Sequence, residues 1–275
     1  MAPFFSVVVV CRNAGDKLKK TVESILSQSE RSFEIIVKDA CSTDGSVEAL
    51  PQAKELTVIR EKDSGIYDGM NGALRHVRGR FVLFLNCGDL FSSDDVLRRV
   101  KEFIGDAEKN DINVGNIPSP AVYYGDVRDS LTGARAAANP VMDDFALYRN
   151  IPCHQACFYD AALFQERGFD VRYRVRADYE HFLWCHYVKN AAMRHMDVTV
   201  ADYEGGGYSE SPEGRAYSAR EHREITARYL PTGKHLLYRI YMAVTLQPLR
   251  ERIARDPRTA AVYSWLKDRA YAGKS

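Results

Sequence analysis

The stretch Phe81-Val82-Leu83-Phe84-Leu85-Asn86-Cys87-Gly88-Asp89 decides the fold. An unbroken apolar run stops abruptly at a small, polar, acidic turn. A strand with no polar residue on either face is buried on both, which places it inside an α/β sheet. The C-terminal end of such a strand opens into the crevice where these sheets hold their ligands. A carboxylate there suits a divalent ion and, through it, a diphosphate. Two further acidic loops follow apolar strands in the same way, Asp39 to Asp44 and Asp63 to Asp68. The repetition points to an enzyme that handles nucleotides.

Working outward, Phe4 to Val10 and Phe33 to Val37 read as apolar strands, and Leu56 to Ile59 as a third, short one. Leu18, Val22, Ile25 and Leu26 form a helical stripe, and a second helix is expected from Tyr67 to Val77. Strands alternating with helices at this spacing predict βαβ units and a mostly parallel central sheet flanked by helices. Ser92 or Ser93 is expected to cap a helix through Val96, Val100 and Phe103. Asn110 to Pro120 reads as a polar loop, Ala121 to Tyr124 as a strand closing with Gly125-Asp126, and Ala156 to Tyr159 as another. Phe145 to Arg149 and Ala161 to Arg167 read as short helices, Arg176 to Lys189 as a longer one, and Ala191 to Ala201 as a returning strand. Gly205-Gly206-Gly207 reads as a loop, and the chain beyond it as helical.

The chain has 275 residues, 45% hydrophobic and 27% charged, an ordinary globular composition. A formal charge of +1 argues against a dedicated nucleic-acid binder. The balance is uneven, because residues 210–275 hold 13 Lys/Arg against 7 Asp/Glu, a net of +6. Two parts are therefore expected, a body over 1–209 and a basic helical extension over 210–275. The cysteines Cys11, Cys41, Cys87, Cys153, Cys157 and Cys185 form no C-x-x-C pair, and Met1-Ala2-Pro3 runs straight into a strand without a secretory signal. Reduced thiols in a cytoplasmic protein are expected. Cys153, His154 and Cys157 have a poor count and spacing for zinc.

Asp39 closes a strand, where a carboxylate can accept an N–H from a nucleobase edge. Asp44 or Ser46 would equally serve as the cap of a following helix. Asp68 and Asn71 share one side of a helical first turn, fit for ribose or diphosphate, although an acid there also suits the helix dipole. Asp89 is the natural hard-oxygen ligand for Mg²⁺ or Mn²⁺. Asp178, opening a helix, suits either the dipole or a general base, with Glu180 and His181 behind it. His154 reads first as a packed or hydrogen-bonded residue.

In order, these segments resemble glycosyltransferase family two, inverting sugar transferases of the GT-A (Rossmann-like) fold. The resemblance spans most of residues 4–209. It rests on Ser6-Val-Val-Val-Val-Cys-Arg12-Asn13, Asp39-Ala-Cys-Ser-Thr-Asp-Gly45, Asp63-Ser-Gly-Ile-Tyr-Asp-Gly-Met-Asn71, Phe84-Leu-Asn-Cys-Gly-Asp89, Tyr124-Gly-Asp126, His154-Gln155 and Ala177-Asp178-Tyr-Glu180. The succession is similar to bacterial enzymes that assemble colanic acid, capsule, O-antigen and other surface polysaccharides. It implies a nucleotide-diphospho-sugar donor (a UDP-sugar before a GDP-sugar) and a glycan or polyprenyl-diphosphate-linked acceptor. Asp39 would contact the base, with Val10 and Arg12 lining its pocket, and Asp63, Asp68 and Asn86 would border the nucleotide. Asp89 would be the Mn²⁺ or Mg²⁺ acid of the D-x-D motif, and Asp178 the catalytic base. Asn86 stands where most of the family has the first Asp, and Ala177 replaces the usual Glu beside the base.

Two other readings stay open. A sugar nucleotidyltransferase would use a similar sheet, but no Gly-rich, Lys/Arg-bearing N-terminal loop is present to hold a triphosphate. A catalytically silent sugar-nucleotide-binding or scaffold subunit would tolerate Asn86. In the tail, Leu236, Ile240 and Val244 recur every four residues among Lys234, Arg239, Arg250, Arg252, Arg255 and Arg258, ahead of a helix stop at Pro248. Such an element over 234–258 would pack on protein, as in a homodimer. It would equally rest peripherally on the inner face of the cytoplasmic membrane.

Overall fold

The apolar runs form the expected centre. In the computed structural model, which describes residues 2–113, 119–205, 207 and 211–245, Phe81, Val82, Leu83 and Phe84 make β4 (Phe81–Phe84) and are each at most 1% exposed. Burying such side chains contributes about 1.5–3 kcal/mol each. Around it lie β1 (Phe5–Cys11), β2 (Phe33–Asp39) and β3 (Leu56–Arg60), all parallel, with Val7 opposite Ile35 on one side and Leu83 on the other. Helix α1 (Asp16–Leu26) buries Leu18, Val22 and Ile25 completely, and α2 (Ile66–Leu74) buries Met70 and Ala73.

The remaining strands are β5 (Leu90–Phe91), β6 (Ala121–Asp129), β7 (Arg135–Ala136), β8 (Cys157–Asp160) and β9 (Ala192–Tyr203). The nine-stranded sheet has the order β3-β2-β1-β4-β8-β6-β9-β5, with β7 added on β6. The parallel block ends at β4, because β8 runs antiparallel to both β4 and β6, whereas β6 and β9 are parallel. Register shifts between Tyr124 and Val127 bend β6. A Cβ on Gly125 would lie 2.3 Å from the Val198 carbonyl, so the strands close up there around a bare glycine.

Several local expectations change. Residues 45–50 form turns rather than a helix, and Asp44 braces the loop instead, accepting from Gly15 N–H at 2.8 Å and Ser46 Oγ at 2.6 Å. Helix α3 (Val96–Asn113) runs into the segment expected to be loop. Its early N–H at Leu97 is capped by Gln28 Oε1 at 3.0 Å rather than by Ser92 or Ser93. Helices α4 (Asp144–Arg149) and α5 (Ala177–Tyr187) appear as expected, but Ala161–Phe164 is a single 3₁₀ turn.

The chain divides into two compact units, Met1–Ile225 and Thr226–Ser275. Helix α6 (Pro212–Tyr229) supplies residues to the first. In the second, α7 (Thr232–Val244) has no buried residue and leaves Leu236, Leu237, Ile240 and Val244 at 55, 60, 53 and 75% exposure. Pro248, Arg250, Arg252, Arg255 and Arg258 fall outside the described residues, as does Gly206 in the glycine loop. No helix among the described residues is long and apolar enough to cross a membrane.

Candidate active site

The strand ends border a cleft of about 700 Å³. Its floor is the turn after β4. Gly88 takes φ +107°, a left-handed value that favours glycine. Buried Thr21 of α1 clamps the turn, its Oγ1 donating to the Asp89 carbonyl at 2.9 Å and accepting from Gly88 N–H at 3.0 Å. The Asp89 side chain turns to the cleft, where Oδ1 accepts from Glu204 N–H at 3.0 Å and Oδ2 lies 3.4 Å from Gln155 Nε2. Burial pushes this carboxyl up to about 6 despite the Glu204 bond. Lys17 and Glu204 pair at 2.7 Å beside it.

No three His, Cys, Asp or Glu side chains among the described residues gather into a metal cage. Asp89 nevertheless fits a divalent ion of another kind. It is a desolvated carboxylate with neutral hydrogen-bond partners, suited to an ion that draws its other ligands from a diphosphate and water.

Asp178, in the first turn of α5, lines the cleft with its side chain 18% exposed. His154 Nδ1 lies 3.2 Å from Oδ2, and the Tyr67 hydroxyl 2.8 Å from Oδ1. That hydroxyl is also 2.8 Å from the Val175 carbonyl, so its single proton is shared between two acceptors. Burial works to raise the Asp178 pKa, but His154 and Tyr67 outweigh it and the net shift is downward. Asp178 is therefore an anion over a broad pH range. On its far side His154 Nε2 meets Asn86 Nδ2 at 2.8 Å.

The approach to α5 is held from α6. Buried Glu221 accepts from three consecutive backbone N–H groups, Arg174 at 2.8 Å, Val175 at 3.1 Å and Arg176 at 2.9 Å. Arg176 Nε also donates to Ser218 Oγ at 2.8 Å. The base candidate is thus positioned by a helix beyond residue 209.

The expected residues divide into two groups. Val10, Arg12, Asn86, Asp89 and Asp178 line the cleft together. Asp39, Asp63 and Asp68 stand behind or beside it. Asp39 is fully buried, accepting from Ser42 N–H at 3.0 Å and lying 3.3 Å from Arg60 Nε and 3.7 Å from Cys11 Sγ. Asp63 pairs with buried Lys38 at 3.6 Å, at a corner it shares with Val10. Asp68 folds back onto its own loop, accepting from Ser64 N–H and Oγ, both at 2.8 Å. Asn71 clamps the Phe169 backbone through both amide atoms, so it acts in the framework.

The stand-ins for Asp178 are structural. Glu180 is buried against Arg167 at 2.8 Å, and His181 stacks on Phe164 with ring centres 4.4 Å apart. Burial drops the His181 pKa to about 3, so the ring is neutral. All six cysteines are free thiols, and Cys153, His154 and Cys157 form no metal cluster. Lys17, Glu204 and Glu221 carry no local sequence signal for the site, Glu221 lying in a charged helix, whereas Tyr67 lies within the Asp63 to Asn71 motif.

The family model for glycosyl transferase family 2 matches residues 6–160. A PGL/p-HBAD biosynthesis glycosyltransferase of Mycobacterium tuberculosis is 31% identical, covering 98% of this chain and 99% of that protein. A putative teichuronic acid biosynthesis glycosyltransferase of Bacillus subtilis, TuaG, is 35% identical, over 36% of this chain and 41% of its own. Among solved structures, S. aureus TarS 1-349 superposes with a TM-score of 0.61 at 19% identity, covering 84% of this chain and 68% of that one. The mannosyltransferase PcManGT from Pyrobaculum calidifontis, in complex with GDP-Man and Mn²⁺, gives 0.60 at 16% identity, covering 96% and 84%. The family model and the full-length relative together show that the chain belongs to glycosyltransferase family 2, a glycosyltransferase built on the GT-A fold.

Proposed function

We propose that the protein transfers a sugar, with inversion, from a nucleotide-diphospho-sugar to a hydroxyl of a glycan or lipid-linked acceptor in bacterial polysaccharide or glycolipid assembly. The observation that carries this reading is one cleft holding two unlike carboxylates. Asp89 is desolvated and has no paired cation among the described residues, while Asp178 is kept ionised by two donors.

In this reading the nucleotide lies along Val10 and Arg12, with Asp39 and Asp63 setting the corner behind them and Asp68 shaping the adjoining loop. Uridine is favoured over guanosine as the base. Asp89 would hold Mn²⁺ or Mg²⁺ against the diphosphate. Such an ion neutralises charge developing on the leaving nucleoside diphosphate. Asp178 takes the proton of the acceptor hydroxyl as that oxygen attacks the anomeric carbon from the opposite face, a role worth about 10²–10⁴-fold. His154 and Tyr67 fix the direction of its lone pairs. The exposed apolar residues of α7, in a basic stretch of chain, support a peripheral contact with an anionic membrane where lipid-linked acceptors reside.

The test is sugar transfer by purified protein, with UDP- and GDP-sugars and Mn²⁺, beside Asp178→Asn. The variant should melt normally and bind donor normally while losing roughly 10²-fold or more in turnover. Near-normal turnover would remove Asp178 from the base role, and absence of donor binding by the wild type would remove the transferase mechanism itself.

A further inference from the structure

Asn86 occupies the place where most of the family has an acid, and its side chain is committed to His154, with Nδ2 2.8 Å from Nε2. Its Oδ1 is buried and has no hydrogen-bond partner among the described residues, so the contact the amide makes here is through its N–H. We infer that Asn86 is a positioning residue for the Asp178 base, acting through the tautomer of His154. The inference rests on the reading of Asp178 given above.

The logic follows the protons. A neutral imidazole carries one N–H. An amide N–H pointed at Nε2 requires a lone pair there, which places the proton on Nδ1, 3.2 Å from Asp178 Oδ2. With the Tyr67 hydroxyl on Oδ1, both carboxylate oxygens are fixed by donors, and lone pairs remain for the acceptor hydroxyl. An aspartate at position 86 would accept instead of donate. The ring would then carry a proton on Nε2, leaving one of two outcomes. A bare Nδ1 lone pair would face the Asp178 anion, or a doubly protonated ring would lower the basicity of Asp178. Asparagine is thus the side chain of this size that keeps the base both anionic and oriented.

The test is Asn86→Asp, assayed at saturating donor and acceptor. If Asn86 positions the base, kcat falls roughly ten-fold or more while the donor KM stays within about two-fold of wild type. The same substitution in a His154→Ala background then produces no additional fall, because the two residues act as one unit. Should His154→Ala fail to fold in thermal melts, His154→Gln supplies the background. The inference is overturned if Asn86→Asp matches or exceeds wild-type turnover, or tightens the metal requirement as a restored ligand would. Multiplicative losses in the double variant would overturn it too. Failure of the underlying reading looks different, since Asp178→Asn would then retain turnover whatever Asn86→Asp does.

Discussion

Replacing Glu221 by glutamine probes how α6 controls a residue more than forty positions earlier. The carboxylate accepts from three consecutive N–H groups at 2.8, 3.1 and 2.9 Å. Hydrogen bonds to a charged group are worth about 1.5–3 kcal/mol each. Glutamine keeps the volume and one carbonyl oxygen, but its own NH₂ turns donors toward donors. One or two N–H groups then lose their acceptor, and Val175 and Arg176 are half-buried, so water restores part of the loss. The net cost is about 2–3 kcal/mol, which for a domain of this size lowers Tm by roughly 4–12 °C. Because Arg176 immediately precedes α5, relaxation there shifts Asp178. A displacement near 1 Å costs about 10²-fold in rate. Donor KM should hardly move, since Val10, Arg12 and Asp89 make none of these contacts. Differential scanning calorimetry and steady-state kinetics well below the melting point give both readouts. A lowered Tm with unchanged kcat would show that Glu221 supports the fold without placing the base, and an unchanged Tm would refute the clamp.

Tyr67→Phe should lower kcat about five- to ten-fold, less than a full hydrogen bond to an anion is worth, because the hydroxyl shares its one proton with the Val175 carbonyl. The hydroxyl helps to hold the Asp178 pKa below its ordinary value, so its removal raises that pKa. A base works above its pKa, so the acid limb of the kcat–pH profile moves to higher pH; an unmoved limb would detach Tyr67 from Asp178. Leu236→Ser combined with Ile240→Ser should reduce flotation with vesicles containing anionic lipid while leaving soluble-acceptor turnover intact, and unchanged flotation would take α7 off the membrane.

The apolar runs made the parallel half legible, because strands buried on both faces leave no polar residue to misplace. The run ending at Asp89 and the acid opening α5 likewise pointed at the cleft. What stayed hidden depends on contacts distant in sequence. Asp39, Asp63 and Asp68 share a residue type and a loop position with Asp89. Yet Asp39 and Asp68 turn onto the nearby Ser42 and Ser64, as a turn carboxylate can, whereas Asp63 pairs with Lys38 from 25 positions away. His154 reads as a packed or hydrogen-bonded residue and is hydrogen-bonded, but its partners Asn86 and Asp178, 68 and 24 positions away, could not be named from the sequence. The cap of α3 was misassigned for the same reason, since Gln28 arrives from 69 residues off.

The reversed strand β8 has a consequence for how such a cleft gains parts. In a wholly parallel sheet, every loop at the working rim departs from a strand, so chemistry is added to chain on its way out. Here the chain also arrives there, and His154 and Gln155 are delivered just ahead of Cys157 on the way in. An incoming segment can be altered in length upstream without disturbing the strand that follows it. The segment that carries His154 to Asp178 can therefore diverge among relatives while β4 and the turn after it keep their register.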